Sequence, residues 1–376
     1  MRILHTGDLH LDSAFCHSGT LGADKRREMQ RDTLLRIFEL AKTKKCDMML
    51  IAGDLFDSKY VTPETEQCVK ELFARTDFPI VIAPGNHDPY VNGSFYKTAE
   101  LPDNVYIFNS NELQCFEFPE LRTRVFGYAF TSQTLTASPL SGQASLDSDG
   151  YIRLLCAHAD LSSVISRYCP ITVGDILNLG VDYAALGHVH NRYEEQTDGL
   201  NNIRYCGFPE GRSFDELSDG GVLIVDIDDG NISIKRHKVS MQKYEIRDID
   251  LSECGDRSEM VSKIRSLIEG DFPDGDTHLR LRLTGTADAD SANYITRLEG
   301  ELSHGLLSLE IKNLTFPIEN ISSLKNDISI RGAFYNALYS GLVDDDPEVR
   351  ARTVTSLQIG LAAIDGRRIP GEEDEI

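Results

Sequence analysis

Five short patterns place metal-ligating side chains in this sequence: Asp8-Leu9-His10, Gly53-Asp54-Leu55-Phe56-Asp57, Gly85-Asn86-His87-Asp88, the His158 of Cys156-Ala157-His158-Ala159-Asp160, and Gly187-His188-Val189-His190. Jointly they supply four imidazoles (His10, His158, His188, His190), two carboxylates (Asp8, Asp54) and one amide oxygen (Asn86). Nitrogen and oxygen donors without a thiolate suit Mn²⁺, with Fe²⁺ or Zn²⁺ as alternatives, rather than Ca²⁺ or Mg²⁺. Two such ions ~4 Å apart clamp both oxygens of an in-line phosphoryl displacement and make hydroxide from a bridging water. Residues i and i+2 of an extended stretch face the same way, so Asp8 with His10, and His188 with His190, can serve one cation or two neighbours. Each pair is weak alone, since D-x-H arises by chance and histidine pairs are common in cores. The combination of all five in one order carries the reading.

Each pattern sits just past an apolar run, and polar side chains at the carboxyl ends of buried strands converge in open α/β sheets. Strands are expected at 2–8, 47–52, 79–83, 151–157, 182–187, 202–206, 221–227 and 231–239, with further short strands from Val105. Asp24 to Lys45 has Leu34, Leu35, Phe38 and Ala41 at helical spacing, with Lys25, Arg26, Arg27, Arg31 and Lys42 on the outer face. Thr62-Pro63 open a second helix with a capping hydroxyl and a first-turn proline. Thr131 to Gly150, rich in Ser, Thr, Gly and Asp, reads as a loop.

Three domains are expected: 1–240 with the site, 241–317 as a strand–helix–strand–helix–strand unit, and 318–376 as a helical tail. In the second, Tyr244 to Leu251 alternates, Asp290 to Leu302 is helical and Leu306 to Phe316 is extended. In the third, Pro347-Glu348 open a helix to about Ile364, and the acidic end Gly371 to Ile376 is expected to be disordered. At 376 residues and 41% hydrophobic the chain can bury full cores. No stretch approaches the ~20 apolar residues of a membrane span, and the start reads as a strand rather than a leader, so a cytoplasmic location is expected. Eight scattered cysteines, with no C-x-x-C pair, are expected to be reduced. A net charge of −22 repels nucleic acid over the whole surface, so any such contact must come from a local patch or a partner.

D-x-H, G-D-x-x-D, G-N-H-D, a lone His and G-H-x-H resemble the calcineurin-like metallophosphoesterase signature, over residues 1 to about 240. Within that superfamily, Asp8-Leu9-His10-Leu11-Asp12, Gly53-Asp54-Leu55-Phe56 and Gly187-His188-Val189-His190, followed by a small α/β unit, are similar to the SbcD and meiotic-recombination DNA nucleases. The YhaO-like DNA repair exonucleases are the branch that the chain resembles most. The resemblance implies an α/β fold: a four-layer αββα sandwich with a small α/β capping domain and a helical tail. It places Asp8, His10, Asp54 and His190 on one metal ion and Asp54, Asn86, His158 and His188 on the other. His87 is then the residue that stabilises the transition state and protonates the leaving oxygen. The implied activity is that of a DNA repair phosphodiesterase, an exonuclease with endonuclease action left open, acting through hydroxide held by the metals. DNA, an SMC-like ATPase of the SbcC kind docked on the tail, and a second copy of the chain are the implied partners; no membrane is implied.

At the third position after the bridging aspartate, where those nucleases usually carry a histidine, this chain has Asp57. Related phosphatases pair an acid here with the histidine of G-N-H, so an Asp57–His87 hydrogen bond is expected. The alternative is that Asp57 caps the loop before Thr62. Asp12, Asp88, His5 and His17 are read as structural. Two other functions stay open: a small-substrate phosphodiesterase, phosphatase or nucleotidase on the same metals, and a non-catalytic scaffold that binds ends without cutting.

Overall fold

The computed structural model of the chain describes residues 1–15, 22–147, 149–161, 165–190, 202–287, 289–317, 324–344 and 346–366. His17 and the acidic terminus 371–376 lie outside them. Two compact units form: Met1–Glu245 with Asp276–His278, and Ile246–Gly275 with Leu279–Ile376.

In the first unit, β1 (Arg2–Thr6), β2 (Met48–Ile51), β3 (Ile80–Ile82) and β4 (Val105–Ile107) lie side by side in parallel. β10 (Ser218–Asp228) pairs antiparallel with β1, and β11 (Asn231–Asp250) with β10. A second sheet runs β5 (Gln114–Phe118), β6 (Thr123–Gly127), β7 (Ile152–His158), β8 (Tyr183–Gly187), β9 (Ile203–Tyr205), parallel except for β5.

These strands read as unbroken apolar runs because both faces are covered. Leu4, Met49, Ile51, Ile80 and Ile82 pack under helices α1 (Ala23–Lys44) and α2 (Pro63–Ala74). The alternate residues Ile3, Met48, Leu50 and Val81 meet Leu154, Cys156, Tyr183 and Ala185 between the sheets. The other face of the second sheet, with Leu155, Ala157, Ala184 and Leu186, is closed by Ile176 and Leu179 of the helix Val173–Leu179. That gives the αββα order of layers. His5 crosses the middle, its Nδ1 2.9 Å from Tyr183 Oη and its Nε2 3.2 Å from the Leu186 carbonyl.

One side chain differs from its expected place, and the alternative part for Asp57 falls to another residue. Arg26, read as part of the outer face of α1, is 3% exposed: it donates to the Arg212 carbonyl at 2.6 Å and to Tyr244 Oη, with its guanidinium 3.9 Å from the Phe15 ring centroid. Those acceptors and the aromatic faces replace the water it gives up. The loop before Thr62 is capped by Asp12, which accepts from Thr62 N at 2.7 Å and Thr65 Oγ1 at 2.8 Å; Asp57 takes no part in that cap.

Strands expected at 231–239 and from 244 are a single strand, β11, of 20 residues. In the second unit its end, β12 (Thr277–Thr284) and the strand Ser308–Asn313 carry Ile249, Leu281 and Ile311 into a core with Ile264 of the helix Arg257–Asp271. The helix expected over 290–302 is two, Ala289–Thr296 and Glu299–Leu302, parted by tighter i→i−3 bonds at Arg297 and Leu298 that neither Gly nor Pro announces. Helices Ile330–Leu342 and Pro347–Ile364 close a separate cluster around Tyr335, Leu357 and Leu361. Seven cysteines are free among the described residues.

One buried acid ties α1 to β11. Glu210, 2% exposed, accepts from Met241 N at 2.8 Å, Gln242 N at 3.2 Å and the Thr33 hydroxyl. Burial, outweighing these donors and the charge of Arg36, pushes its carboxyl from 4.5 up to about 7. A group whose folded pKa lies above its unfolded one holds its proton longer in the folded chain, so stability falls as pH rises between the two values. This group should cost on the order of 3 kcal/mol between pH 4.5 and 7. Denaturant unfolding across that window should give a flatter slope for Glu210→Gln than for the natural chain; parallel slopes would refute the assignment.

Candidate metal centre

All five patterns lie at the carboxyl ends of parallel strands. Asp8 and His10 follow β1, Asp54 and Asp57 follow β2, Asn86 and His87 follow β3, His158 ends β7, and His188 and His190 follow β8. The i, i+2 argument assumed extended backbone, but β1 stops at Thr6 and Asp8, His10 and Asp54 are left-handed, with φ of 51°, 47° and 48°. Hydrogen bonds Asp8 N to Gly53 O (3.0 Å) and His10 N to Asp54 O (2.9 Å) hold the two loops together against that strain. Gln30 of α1 adds a bond to the His10 carbonyl at 2.8 Å.

The motif glycines are where a ligand comes too close for a side chain. Gly53 has φ +89°, and a Cβ there would stand 2.3 Å from His158 Nδ1. At Gly85 it would stand 2.2 Å from Asp54 Oδ1.

Inside this ring of loops the donors face one another. His10 Nε2 is 3.3 Å from His190 Nε2 and 3.7 Å from Asp54 Oδ2, and His190 Nε2 is 3.7 Å from Asp8 Oδ1. His158 Nε2 is 2.9 Å from Asn86 Oδ1 and 3.3 Å from Asp54 Oδ2. Each of these three imidazoles meets an acceptor at Nδ1: Asp57 Oδ1 at 3.1 Å for His10, Glu216 Oε1 at 2.7 Å for His190, and the Ala52 carbonyl at 3.0 Å for His158. The δ nitrogen therefore carries the proton, and the Nε2 lone pairs point inward at one another and at carboxylate and amide oxygens. Lone pairs and anions converging out of water call for cations between them, so the donor set fits divalent metal. His188 stands beside this group, its ring 5.0 Å from that of His158 and its backbone N donating to Asp8 at 2.9 Å.

The buried acids titrate accordingly. Burial raises the Asp8 carboxyl despite His190 and His158 nearby. Asp54 is also pushed up by burial, but His158, His10 and His87 together bring it below the ordinary range. Burial and the Asp54 charge take Asp88 up to about 7, while Gly85 N, Phe56 N and Tyr96 Oη donate to it, in keeping with a structural part.

The Asp57–His87 pair takes a different form from the one expected. Asp57 Oδ1 is 3.7 Å from His87 Nδ1, outside hydrogen-bond range, and the imidazole bonds instead to the Asp57 backbone carbonyl at 3.1 Å. Arg212 Nη1, at 3.2 Å, and His10 draw the carboxylate away. Arg212 and Glu216 were not singled out in the sequence. They sit on the loop after β9, where the rule applied to the other patterns, polar residues just past an apolar run, picks out the stretch Gly207 to Glu216. Although burial opposes it, bonds from His190 and Arg212 bring Glu216 down to about 2.

The calcineurin-like phosphoesterase family profile matches residues 1–192. The uncharacterized metallophosphoesterase YhaO of Bacillus subtilis is 26% identical over 298 residues, 76% of this chain and 72% of that one. The SbcD component of the SbcCD nuclease of Staphylococcus epidermidis is 23% identical over 263 residues, 62% of this chain and 67% of that one. The solved nuclease MPE of Pseudomonas putida aligns at 15% identity over 40% of this chain and 57% of that one, with a TM-score of 0.21, too slight an overlap to argue from.

Gly85→Ala tests the close approach. The added Cβ meets Asp54 Oδ1 and, at 2.7 Å, the Asp54 backbone N, so the carboxylate must move. Divalent-metal affinity measured by calorimetry should fall by about tenfold or more with an unchanged circular dichroism spectrum. Full metal content in a folded variant would count against the packing described.

Proposed function

Because the chain belongs to the calcineurin-like phosphoesterase family, whose profile takes in just over half of it, and is thereby a phosphoester hydrolase, we propose that it is a two-metal DNA phosphodiesterase, an exonuclease of DNA repair. The observation that carries the metal-dependent part of this is the inward turn of three imidazole Nε2 atoms onto Asp8, Asp54 and Asn86. In this reading Asp8, His10, Asp54 and His190 hold one ion and Asp54, Asn86, His158 and His188 the other, with manganese the first choice for nitrogen and oxygen donors. When bound, such ions supply positive charge to phosphoryl oxygens and make water more acidic.

The chain's own groups do the rest. His87, 44% exposed and held through Nδ1 by a carbonyl that only accepts, would in its imidazolium form carry a second proton on Nε2 to give to the departing oxygen. A cleft of about 800 Å³ opens from Asn86, His87 and Asp57 between Lys59, Tyr60 and Tyr168. Tyr60, 75% exposed with the Lys59 ammonium 5.0 Å from its ring centroid, and the exposed Tyr168 beside His188 offer aromatic and cationic groups to unstacked bases and their backbone, which supports a nucleic-acid strand over a compact monoester. The similarity to a component of a named nuclease supports the same choice. With a net charge of −22, much of the grip on DNA falls to a partner. Helices Ile330–Leu342 and Pro347–Ile364, remote in sequence from every ligand, are the segment we assign to an ATPase of the SbcC kind, in a complex built on a dimer of this chain. No described helix is long and apolar enough to cross a membrane.

The test is hydrolysis of bis-p-nitrophenyl phosphate and of duplex and single-stranded DNA, with and without Mn²⁺, alongside elemental analysis. Two ions per chain, Mn²⁺-stimulated DNA cleavage and at least a hundredfold loss in Asp54→Asn are expected. Cleavage of the small diester with no action on any DNA would favour the small-substrate alternative; one ion per fully active chain would end the two-metal reading. Ending the chain after Pro317 should spare small-diester turnover, and a folded truncation without it would show that the tail belongs to the catalytic unit.

A further inference from the structure

A single guanidinium stands behind two of the inward-facing histidines. Arg212 Nη2 and Nε lie 2.6 and 3.0 Å from Glu216 Oε1, its backbone N donates to Glu216 Oε2 at 2.7 Å, and its Nη1 lies 3.2 Å from Asp57 Oδ1. Glu216 Oε1 in turn receives His190 Nδ1 at 2.7 Å, and Asp57 Oδ1 receives His10 Nδ1 at 3.1 Å. The Arg212 carbonyl is itself fixed by Arg26 of α1. The chain of contacts is thus His10, Asp57, Arg212, Glu216, His190. At its two ends the Nε2 atoms are 3.3 Å apart and aimed at the same space.

We propose that Arg212 is a positioning residue that sets His10 and His190 as a pair, through Asp57 and Glu216, and so preorganises one of the two metal positions and not the other. His158, on the other side of Asp54, has no share in this clamp, because its Nδ1 is held by the Ala52 carbonyl. One position therefore has both its histidines oriented by an ionic side-chain network, whereas the His158 of the other is oriented by a backbone carbonyl. Arginine suits the task because its planar fork engages two carboxylates at fixed angles, which an ammonium cannot do. The inference rests on the two-metal reading above and gives Asp57 a place behind His10 rather than opposite His87.

The experiment is calorimetric titration of the full-length, metal-free chain with Mn²⁺, repeated with Co²⁺ to follow the visible absorption of each ion. The natural chain should show two binding steps, and His190→Ala identifies the one that depends on His190. In Arg212→Met and in the nearly isosteric Glu216→Gln that same step should weaken 10- to 100-fold, the usual cost of losing an outer partner of a ligating histidine, while the second keeps its affinity. Arg212→Lys should recover only part of the loss. The melting temperature of each metal-free variant separates loss of fold from loss of orientation, and Glu216→Gln carries the test if Arg212→Met does not fold. Equal weakening of both steps, or no change in either, overturns the clamp. A natural chain that takes up a single ion overturns the two-metal reading, and the clamp with it.

Discussion

Three imidazole lone pairs turned toward two carboxylates and an amide oxygen, with His10 and His158 buried and His190 partly so, are the constraint on which the first unit depends. Histidine allows either ring nitrogen to carry its proton, so the acceptor outside the ring of loops decides the direction of the lone pair inside it. Here those acceptors are the Ala52 carbonyl, Asp57 and Glu216. Such a centre calls for cations, because lone pairs and carboxylates that face one another inside a protein repel and have little water to screen them.

The same need explains where the backbone is strained. Asp8, His10 and Asp54 adopt positive φ at the ends of strands that are otherwise regular, each cross-tied to a neighbouring loop. Strain of this kind persists only when surrounding contacts over-determine it. α1 contributes much of that determination: at Arg26, Gln30 and Thr33, one turn apart on its buried face, it holds the Arg212 carbonyl, the His10 carbonyl and Glu210. A helix whose sequence looks like an ordinary amphipathic layer is thus also a rack for two site loops, the one after β1 and the one after β9.

Asp57 shows how residue type sets an outer network. An aspartate offers acceptors only, and acceptors are satisfied by Arg212 and His10. His87 then falls back on a backbone carbonyl, which fixes its ring without adding charge.

The sequence by itself determined the α/β class, most of the buried strands and the strand-end positions of the ligand candidates, because burial on both faces of a sheet and ligand chemistry restrict residue type position by position; the layered arrangement was legible only through the family resemblance. Strand ends and apolar alternation are local properties, as is the Thr62-Pro63 helix start. What only the tertiary structure decided is which polar groups meet outside that centre: Asp57 with Arg212 and His10, Glu216 with His190, Arg26 turned inward, Asp12 in the cap. A charged residue within reach of several partners has no preference written in its neighbours along the chain. Partnership there is settled by distances between segments as far apart as Asp57 and Arg212, and by how much water each group must give up.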